Sequence, residues 1–217
     1  MNDSVIWTGR VPLSSITWVF DESKRFSFSP SFEKKRQETW KYMTQHYPWI
    51  YDGELLALDD LSVENSALKL MMRSIRFSQL VTHERNGLRL PESLGSLGFQ
   101  AVITNSNNTH LLIGERAQSS DYKPGFITLP GGIFETSDMQ SSLQDACLRE
   151  LREEIALPLN EQSMFSIALI RDTNHTGSII LVEGKASASF TSSELNSGTV
   201  AGNEEWEGNK LWWLREH

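Results

Sequence analysis

Two stretches of the chain decide its fold: Leu129-Pro130-Gly131-Gly132, and further on Arg149-Glu150-Leu151-Arg152-Glu153-Glu154. The first ends a strand-like run and provides two glycines, which allow the backbone to approach a ligand closely. The second lies in a segment with helical periodicity, predicted from Ser142 to Ala156 and stopped by Pro158. A strand, a glycine pair, an acidic loop and an acidic helix in this order predict a site between the glycine pair and the helix.

The charged residues of the predicted helix lie on one face. With Arg149 at zero and 100° per residue, Glu153 falls at about 40°, Glu150 at about 100° and Glu154 at about 140°. The apolar side chains fall at about 200–260°, on the opposite face: Leu148, Leu151 and Ile155. Like charges this close repel, and Glu154 also lies near the negative end of the helix dipole. A bound Mg²⁺ or Mn²⁺ ion would offset this repulsion, whereas a solvated surface helix is the alternative.

Composition narrows the class of protein. The 217 residues are 39% hydrophobic and carry a net charge of −8, whereas nucleic-acid binders that neutralise phosphates are usually basic. No apolar run is long enough to span a membrane, and residues 1–12 do not resemble a signal peptide. The single cysteine, Cys147, excludes an intrachain disulfide. We therefore expect a cytoplasmic protein that binds neither nucleic acid nor membrane.

The pattern of short strands and helices predicts an α+β fold. Residues 1–95 are expected to form an N-terminal extension with one helix, Ser31–Gln45, capped by Ser31 and followed by Pro48. Its expected strands are Val5–Gly9, Ile16–Phe20, Glu54–Leu58 and Ala67–Leu80. Residues 96–217 are expected to form the main domain around the acidic helix. Its expected strands are Gly98–Thr104, His110–Gly114, Phe126–Leu129, Phe165–Arg171, Ser178–Lys185 and Trp206–Leu214.

The segment from Gly132 to Leu157 resembles the Nudix box. That family pattern is Gly, five residues, Glu, seven residues, then Arg-Glu-apolar-any-Glu-Glu-any-Gly-apolar, and its Arg-Glu-Leu-x-Glu-Glu core is complete here. The chain departs from the pattern at three points. Asp138 takes the place of the first Glu, ten residues rather than seven separate it from Arg149, and Ala156 takes the place of the last Gly.

The resemblance implies a Nudix-type α/β/α sandwich with a mixed central sheet and a metal-dependent hydrolysis of a diphosphate bond. It implies that Glu150, Glu153 and Glu154 bind Mg²⁺ or Mn²⁺, with the backbone carbonyl of Gly131 as a further ligand. Arg149 would orient the glutamates by charge-assisted hydrogen bonds. The catalytic base would be Glu153, Glu154 or a carboxylate outside the box. The substrate would be a small molecule linked to a nucleoside diphosphate.

Looser similarity extends to the Nudix branch of UDP-glucose pyrophosphatases. It lies in Trp40, in Tyr51-Asp52-Gly53, in Ile170–Asn174 and in the apolar strand before Thr191–Glu194. A UDP-sugar, cleaved to UMP and a sugar 1-phosphate, is therefore the first expectation for the substrate. The alternatives are ADP-ribose, coenzyme A, and a nucleotide-sugar sensor without catalysis.

Two arginines are predicted to bind the substrate phosphates: Arg116, beside the loop at 115–125, and Arg171, at the end of a predicted strand. A surface role is the alternative for each. A homodimer is a further possible assembly. The predicted last strand has no helix after it, so residues 192–203 or a second copy of the chain would have to cover the sheet.

Overall fold

The computed structural model describes residues 4–24, 26–64, 67–87, 95–115, 125–155, 159–172, 177–187 and 211–215. The described helices are α1 (Pro30–His46), α2 (Phe77–Asn86) and α3 (Leu143–Ile155). The strands of the first half are β1 (Ser4–Pro12), β2 (Thr17–Phe20), β3 (Glu54–Glu64), β4 (Ala67–Arg76) and β5 (Leu97–Thr104). Those of the second half are β6 (His110–Glu115), β7 (Ile127–Thr128), β8 (Phe165–Asp172), β9 (Gly177–Lys185) and β10 (Leu211–Arg215).

The strands form two sheets. The larger has seven strands in the order β1-β8-β9-β5-β6-β10, with β7 also paired to β6. Its β5–β9 pair is parallel and its other pairs are antiparallel, so the sheet is mixed. The smaller sheet has the order β2-β4-β3. The predicted α+β class with a mixed central sheet is confirmed. The division of the chain at residue 95 stays a prediction, and β1, which precedes it, lies at the edge of the larger sheet.

One hydrophobic core joins the two sheets to α3. Strand β9 alternates half-buried and buried residues, as expected for a strand with one face against the core. The predicted apolar stripe of α3 faces the same core, with Leu148, Leu151 and Ile155 almost fully buried. Leu56 and Leu70 of the smaller sheet belong to this cluster too. The charged face of α3 is therefore turned away from the core, as its periodicity predicts.

None of the helices in the described part of the chain is long and apolar enough to cross a membrane.

The predicted strand Ala67–Leu80 was wrong beyond Arg76, where α2 begins. The alternation of Leu68, Leu70 and Met72 stops at Ser74, and tertiary contacts start a helix further on. Asp52, from the loop before β3, accepts hydrogen bonds from the backbone N–H (2.8 Å) and hydroxyl (2.9 Å) of Ser78. A carboxylate at this position satisfies an N–H in the first turn of the helix and favours its dipole. The helix ends at Gly87, which adopts the left-handed conformation with φ 59°.

Other predicted boundaries shift by smaller amounts. The cap of α1 is Ser29 rather than Ser31, because the Ser29 hydroxyl accepts the Phe32 N–H (3.2 Å) and Pro30 occupies the first turn. Strand β3 continues to Glu64, since its partner β4 pairs with it along its whole length. The predicted helix end at Ala156–Pro158 and the predicted strand start at Trp206 lie outside the described residues.

We expect Asp52→Ala to lower the free energy of unfolding by about 1–2 kcal/mol, because α2 loses its cap. Chemical denaturation measures the change. Asp52→Asn, which keeps an acceptor oxygen, should lose less than the alanine variant. Glu38→Ala, on the exposed face of α1, is the control and should change stability by less than about 0.5 kcal/mol. Equal losses in Asp52→Ala and the control would contradict the capping role.

Candidate active site

The glycine pair runs along the middle of the larger sheet. Residues 130–134 are extended and bind β5 through backbone hydrogen bonds on alternate residues. These bonds join Ala101 N–H to the Pro130 carbonyl (2.7 Å), Phe99 N–H to the Gly132 carbonyl (2.9 Å), and Phe134 N–H to the Leu97 carbonyl (3.0 Å). Carbonyl directions alternate along extended backbone, so the carbonyl of Gly131 is turned away from β5.

The two glycines make close contacts of different kinds. A Cβ added at Gly131 would lie 2.0 Å from the carbonyl oxygen of Phe99, inside the backbone of β5. A Cβ added at Gly132 would lie 2.6 Å from Oε2 of Glu150 on α3. The first glycine therefore lets two stretches of backbone meet, and the second lets a carboxylate lie directly against the backbone. The predicted proximity of the glycine pair to the acidic helix is present in the structure.

Arg149 is the centre of an ion-pair cluster on the exposed face of α3. Its guanidinium contacts Oδ1 of Asp138 (2.6 Å), Oε1 of Glu150 (2.6 Å) and Oε2 of Glu153 (3.0 Å). Glu150 is half-buried against Gly132, whereas the side chain of Glu153 is 52% exposed. The common face predicted for these helix residues is what the structure shows. The backbone of Glu154 continues the helix, and its side chain is not among those described.

Asp138 and the three extra residues before α3 have a structural role that the sequence left open. The loop forms a 3-10 helix, Thr136–Gln140, and Asp138 lies in its first turn with only 5% of its side chain exposed. One carboxylate oxygen accepts the backbone N–H of Glu135 (2.8 Å), and the other binds Arg149. Ser142 then accepts the N–H of Asp145 at the start of α3 (3.1 Å). Asp138 thus anchors the guanidinium that contacts the helix glutamates.

Burial and the charge of the ion-pair partner shift the pKa values of Glu150 and Arg149 in opposite directions. Burial raises the pKa of Glu150, the positive charge and hydrogen bond of Arg149 lower it, and the charges of Glu153 and Asp138 raise it, with a net increase. Burial alone would lower the pKa of Arg149, but the hydrogen bond to Asp138 and the charge of Glu150 outweigh it and raise that pKa. Arg149 is therefore permanently charged, and Glu150 carries unfavourable charge in the folded chain.

The donor atoms of the cluster have the chemistry that a hard divalent cation requires. Glu150 and Glu153 each give one oxygen to Arg149, and an ionised carboxylate has about four lone-pair sites, so both keep donor capacity. Carboxylate and carbonyl oxygens are the ligands that Mg²⁺ and Mn²⁺ prefer. Among the described side chains, no three of His, Cys, Asp or Glu are grouped to hold a metal ion by themselves. A complete site therefore requires donors outside that set, such as Glu154 or a backbone carbonyl.

The two arginines predicted to bind substrate have different outcomes. Arg116 lies outside the described residues. Arg171 is half-buried near the end of β8, opposite Ser178 of β9, which is itself opposite Leu97 of β5. Two strand spacings, about 10 Å, therefore separate its backbone from β5. Arg171 does not join the ion pairs around Arg149, and its predicted role is not tested by these contacts.

Tyr51 is a residue near the site that the sequence did not single out by itself. Its hydroxyl donates a hydrogen bond to Oε1 of Glu135, on the loop that leads to Asp138. This hydrogen bond, with burial and the charges of Glu135 and Glu150, raises the pKa of Tyr51 to about 12. The only signal in the sequence was the loose similarity of Tyr51-Asp52-Gly53, because nothing local relates residue 51 to residue 135.

Comparison with known proteins finds similarity only at the level of solved structures. No family model matches the chain, and no curated protein matches it. The chain is similar to the NUDIX domain of Shewanella oneidensis NrtR complexed with ADP ribose, with 19% identity over 61% of this chain and 81% of that one and a TM-score of 0.40. A MutT/nudix family protein from Enterococcus faecalis has 17% identity over 61% and 49%, with a TM-score of 0.43. The MutT protein from Methanosarcina mazei Go1 has 18% identity over 55% and 76%, with a TM-score of 0.39. These likenesses are distant, so the function has to follow from the chain's own residues.

The raised pKa of Glu150 predicts how stability depends on pH without metal. The carboxyl group of Glu150 binds its proton more tightly in the folded state than in the unfolded state. The resulting contribution to the free energy of unfolding is therefore present at low pH and is lost as pH rises through the carboxylate range. Glu150→Gln should therefore raise the melting temperature at neutral pH by about 1–3 °C, with a smaller gain at low pH. Glu161→Gln, in the exposed pair with Arg152, is the control and should change little. A lower melting temperature for Glu150→Gln at neutral pH would contradict this account.

Proposed function

We propose that this chain is a Nudix-type hydrolase that uses Mg²⁺ or Mn²⁺ to cleave the diphosphate bond of a compound linked to a nucleoside diphosphate. The observation that supports it most is the ion-pair cluster of Arg149, in which Glu150 lies directly against Gly132. This contact leaves the Glu150 carboxylate beside the backbone that carries the Gly131 carbonyl. In this arrangement a backbone carbonyl oxygen and a carboxylate oxygen can bind the same cation.

The proposed cation site consists of Glu150, Glu153 and Glu154 together with the carbonyl of Gly131. A divalent cation held there would supply positive charge to the diphosphate and would lower the pKa of bound water. Arg149 holds Glu150 and Glu153 in fixed orientations through one oxygen of each. The anchoring of Arg149 on Asp138 keeps the guanidinium in place when the charge of the cation is added.

The reaction is the addition of water to one phosphorus and the breaking of its bond to the bridging oxygen. Glu153 is a candidate for the base that accepts the proton of this water, because it lies on the charged face and its side chain is half exposed. Glu154, the next residue on the helix, is the other candidate within the box. Arg116 and Arg171 are the proposed contacts for the substrate phosphates, since a guanidinium binds phosphate oxygens in pairs.

A UDP-sugar is the proposed substrate, giving UMP and a sugar 1-phosphate. Its support is the similarity of Tyr51-Asp52-Gly53 and Ile170–Asn174 to the UDP-glucose pyrophosphatase branch. ADP-ribose and coenzyme A share the diphosphate bond and are the alternatives. A nucleotide-sugar sensor without catalysis has less support, because the three box glutamates are all retained.

Hydrolysis of UDP-glucose, ADP-ribose and coenzyme A in the presence of Mg²⁺ or Mn²⁺, with identification of the products, tests the proposal. We expect turnover of at least one compound, with cleavage between the phosphorus atoms. The double variant Glu153→Gln, Glu154→Gln should lose at least about 100-fold in kcat, because it removes two ligands and both candidate bases within the box. Glu161→Gln is the matched control and should keep full activity. Full activity in the double variant would contradict the hydrolase mechanism, and tight binding without turnover would favour a sensor.

Cation binding should also be visible as a gain in stability. At a Mg²⁺ concentration about 100 times its Kd, the folded state gains about 2.7 kcal/mol, equivalent to a rise of about 5–10 °C in melting temperature. The variants Glu150→Gln and Glu153→Gln should lose most of this rise, because each removes a charged ligand. Calorimetry and thermal denaturation measure both effects. If Mg²⁺ and Mn²⁺ do not bind at all, the acidic helix is a solvated structural element.

A further inference from the structure

The loop between α1 and β3 ends in three residues that are fixed from both sides: Tyr51, Asp52 and Gly53. Asp52 caps α2 through Ser78, and the carbonyl of Gly53 accepts the N–H of Phe77 (3.0 Å). A few residues later β3 meets the box loop, where the N–H of Leu56 donates to the carbonyl of Phe134 (2.8 Å). The backbone that carries Tyr51 is therefore tied both to α2 and to the loop that leads into the site.

The backbone at Gly53 leaves space for the ring of Tyr51, although Tyr51 is largely exposed. A Cβ added at Gly53 would lie 2.8 Å from Cε2 of the Tyr51 ring, so glycine at this position leaves room for the ring. The residue is 64% exposed, and burial of a large aromatic side chain is usually what holds it in place. Here the hydroxyl holds it instead, through its hydrogen bond to Glu135. An exposed tyrosine with a fixed hydroxyl at the edge of an acidic site suggests a role in that site.

A continuous series of contacts connects Tyr51 to the acidic helix. Tyr51 binds the side chain of Glu135, and the backbone N–H of Glu135 binds Asp138 (2.8 Å). Asp138 binds Arg149, which in turn contacts Glu150. Glu135 therefore belongs to the same loop geometry that orients the helix carboxylates. Its charge and that of Glu150 both act on the hydroxyl of Tyr51, so the two carboxylates lie within electrostatic range of one phenol.

We propose that Tyr51 is a positioning residue that keeps the carboxylate of Glu135 turned towards the site, and that Glu135 accepts a hydrogen bond from the attacking water. An ionised carboxylate accepts about four hydrogen bonds, so Glu135 retains this capacity while bound to Tyr51. The inference rests on the proposed hydrolase function and adds to it a carboxylate and a hydroxyl outside the acidic helix. The part of the chain before residue 95 would thereby contribute to catalysis through Glu135.

Steady-state kinetics of Tyr51→Phe, Glu135→Ala and the double variant, on a substrate that the wild type hydrolyses, test the proposal. Tyr51→Phe removes only the hydroxyl and should lower kcat about tenfold, with KM changed less than about twofold. Glu135→Ala should lower kcat at least as much. In the double variant the loss should equal that of Glu135→Ala alone, because Tyr51 acts through Glu135. Tyr42→Phe, an exposed tyrosine on α1, is the matched control and should keep its kcat within about twofold.

Gly53→Ala gives an independent variant with Tyr51 intact. Its added methyl group displaces the ring, so it should reproduce the fall in kcat of Tyr51→Phe with a similar KM. An unchanged kcat in both Tyr51→Phe and Gly53→Ala, or losses for Tyr51 and Glu135 that multiply in the double variant, would overturn the positioning role. A loss of stability without a change in kcat would show that the contact is structural.

The hydrogen bond can be measured without activity. In an NMR titration of labelled tyrosine rings, Tyr51 should ionise near its pKa of about 12, and in Glu135→Ala this pKa should fall towards 10. An unchanged pKa in Glu135→Ala would overturn the hydrogen bond and with it the proposal. If the wild type hydrolyses no compound of the panel, the proposed function and this role both fail. An active wild type with an equally active Tyr51→Phe overturns this role alone.

Discussion

The contact between the guanidinium of Arg149 and the buried carboxylate of Asp138 is the interaction on which the geometry of the site depends. Asp138 is 5% exposed, and a carboxylate so deeply buried is costly unless it is paired and hydrogen-bonded. Arg149 supplies the opposite charge and the backbone of Glu135 supplies a further hydrogen bond. The same guanidinium then extends to Glu150 and Glu153 on α3. Its planar set of donors allows one side chain to contact three carboxylates in fixed directions, which a lysine ammonium does less well.

A second constraint is the close approach of backbone at the glycine pair. The extended segment 130–134 adds a further row of hydrogen bonds beside β5, in the middle of a mixed sheet. Because Gly131 meets the backbone of Phe99, no side chain fits there, and because Gly132 meets Glu150, the helix approaches within contact distance. The half-burial that raises the pKa of Glu150 is a direct result of this approach. The chain thus carries unfavourable charge beside the glycine pair.

The part of the chain before β5 contacts the site and its underlying core in several ways. Residues of the smaller sheet enter the core that underlies α3, and β3 bonds to the box loop through Leu56. Tyr51 then reaches Glu135 across a separation of 84 residues. Local backbone capping explains why this contact is held in place: Asp52 fixes the start of α2, and Gly53 leaves room for the ring.

The sequence by itself determined the features that depend on local periodicity and on backbone freedom. The two faces of α3, its charged residues around Arg149, the glycine pair and most strands follow from spacing and residue type, because these properties act over a few neighbouring residues. Tertiary structure alone decided that α2 begins at Phe77, that Asp138 is buried under Arg149, and that Tyr51 holds Glu135. Each of these depends on a partner distant in sequence: Asp52 for the start of α2, α3 for Asp138, and the box loop for Tyr51. Periodicity within a segment carries no information about which other segment will pack against it.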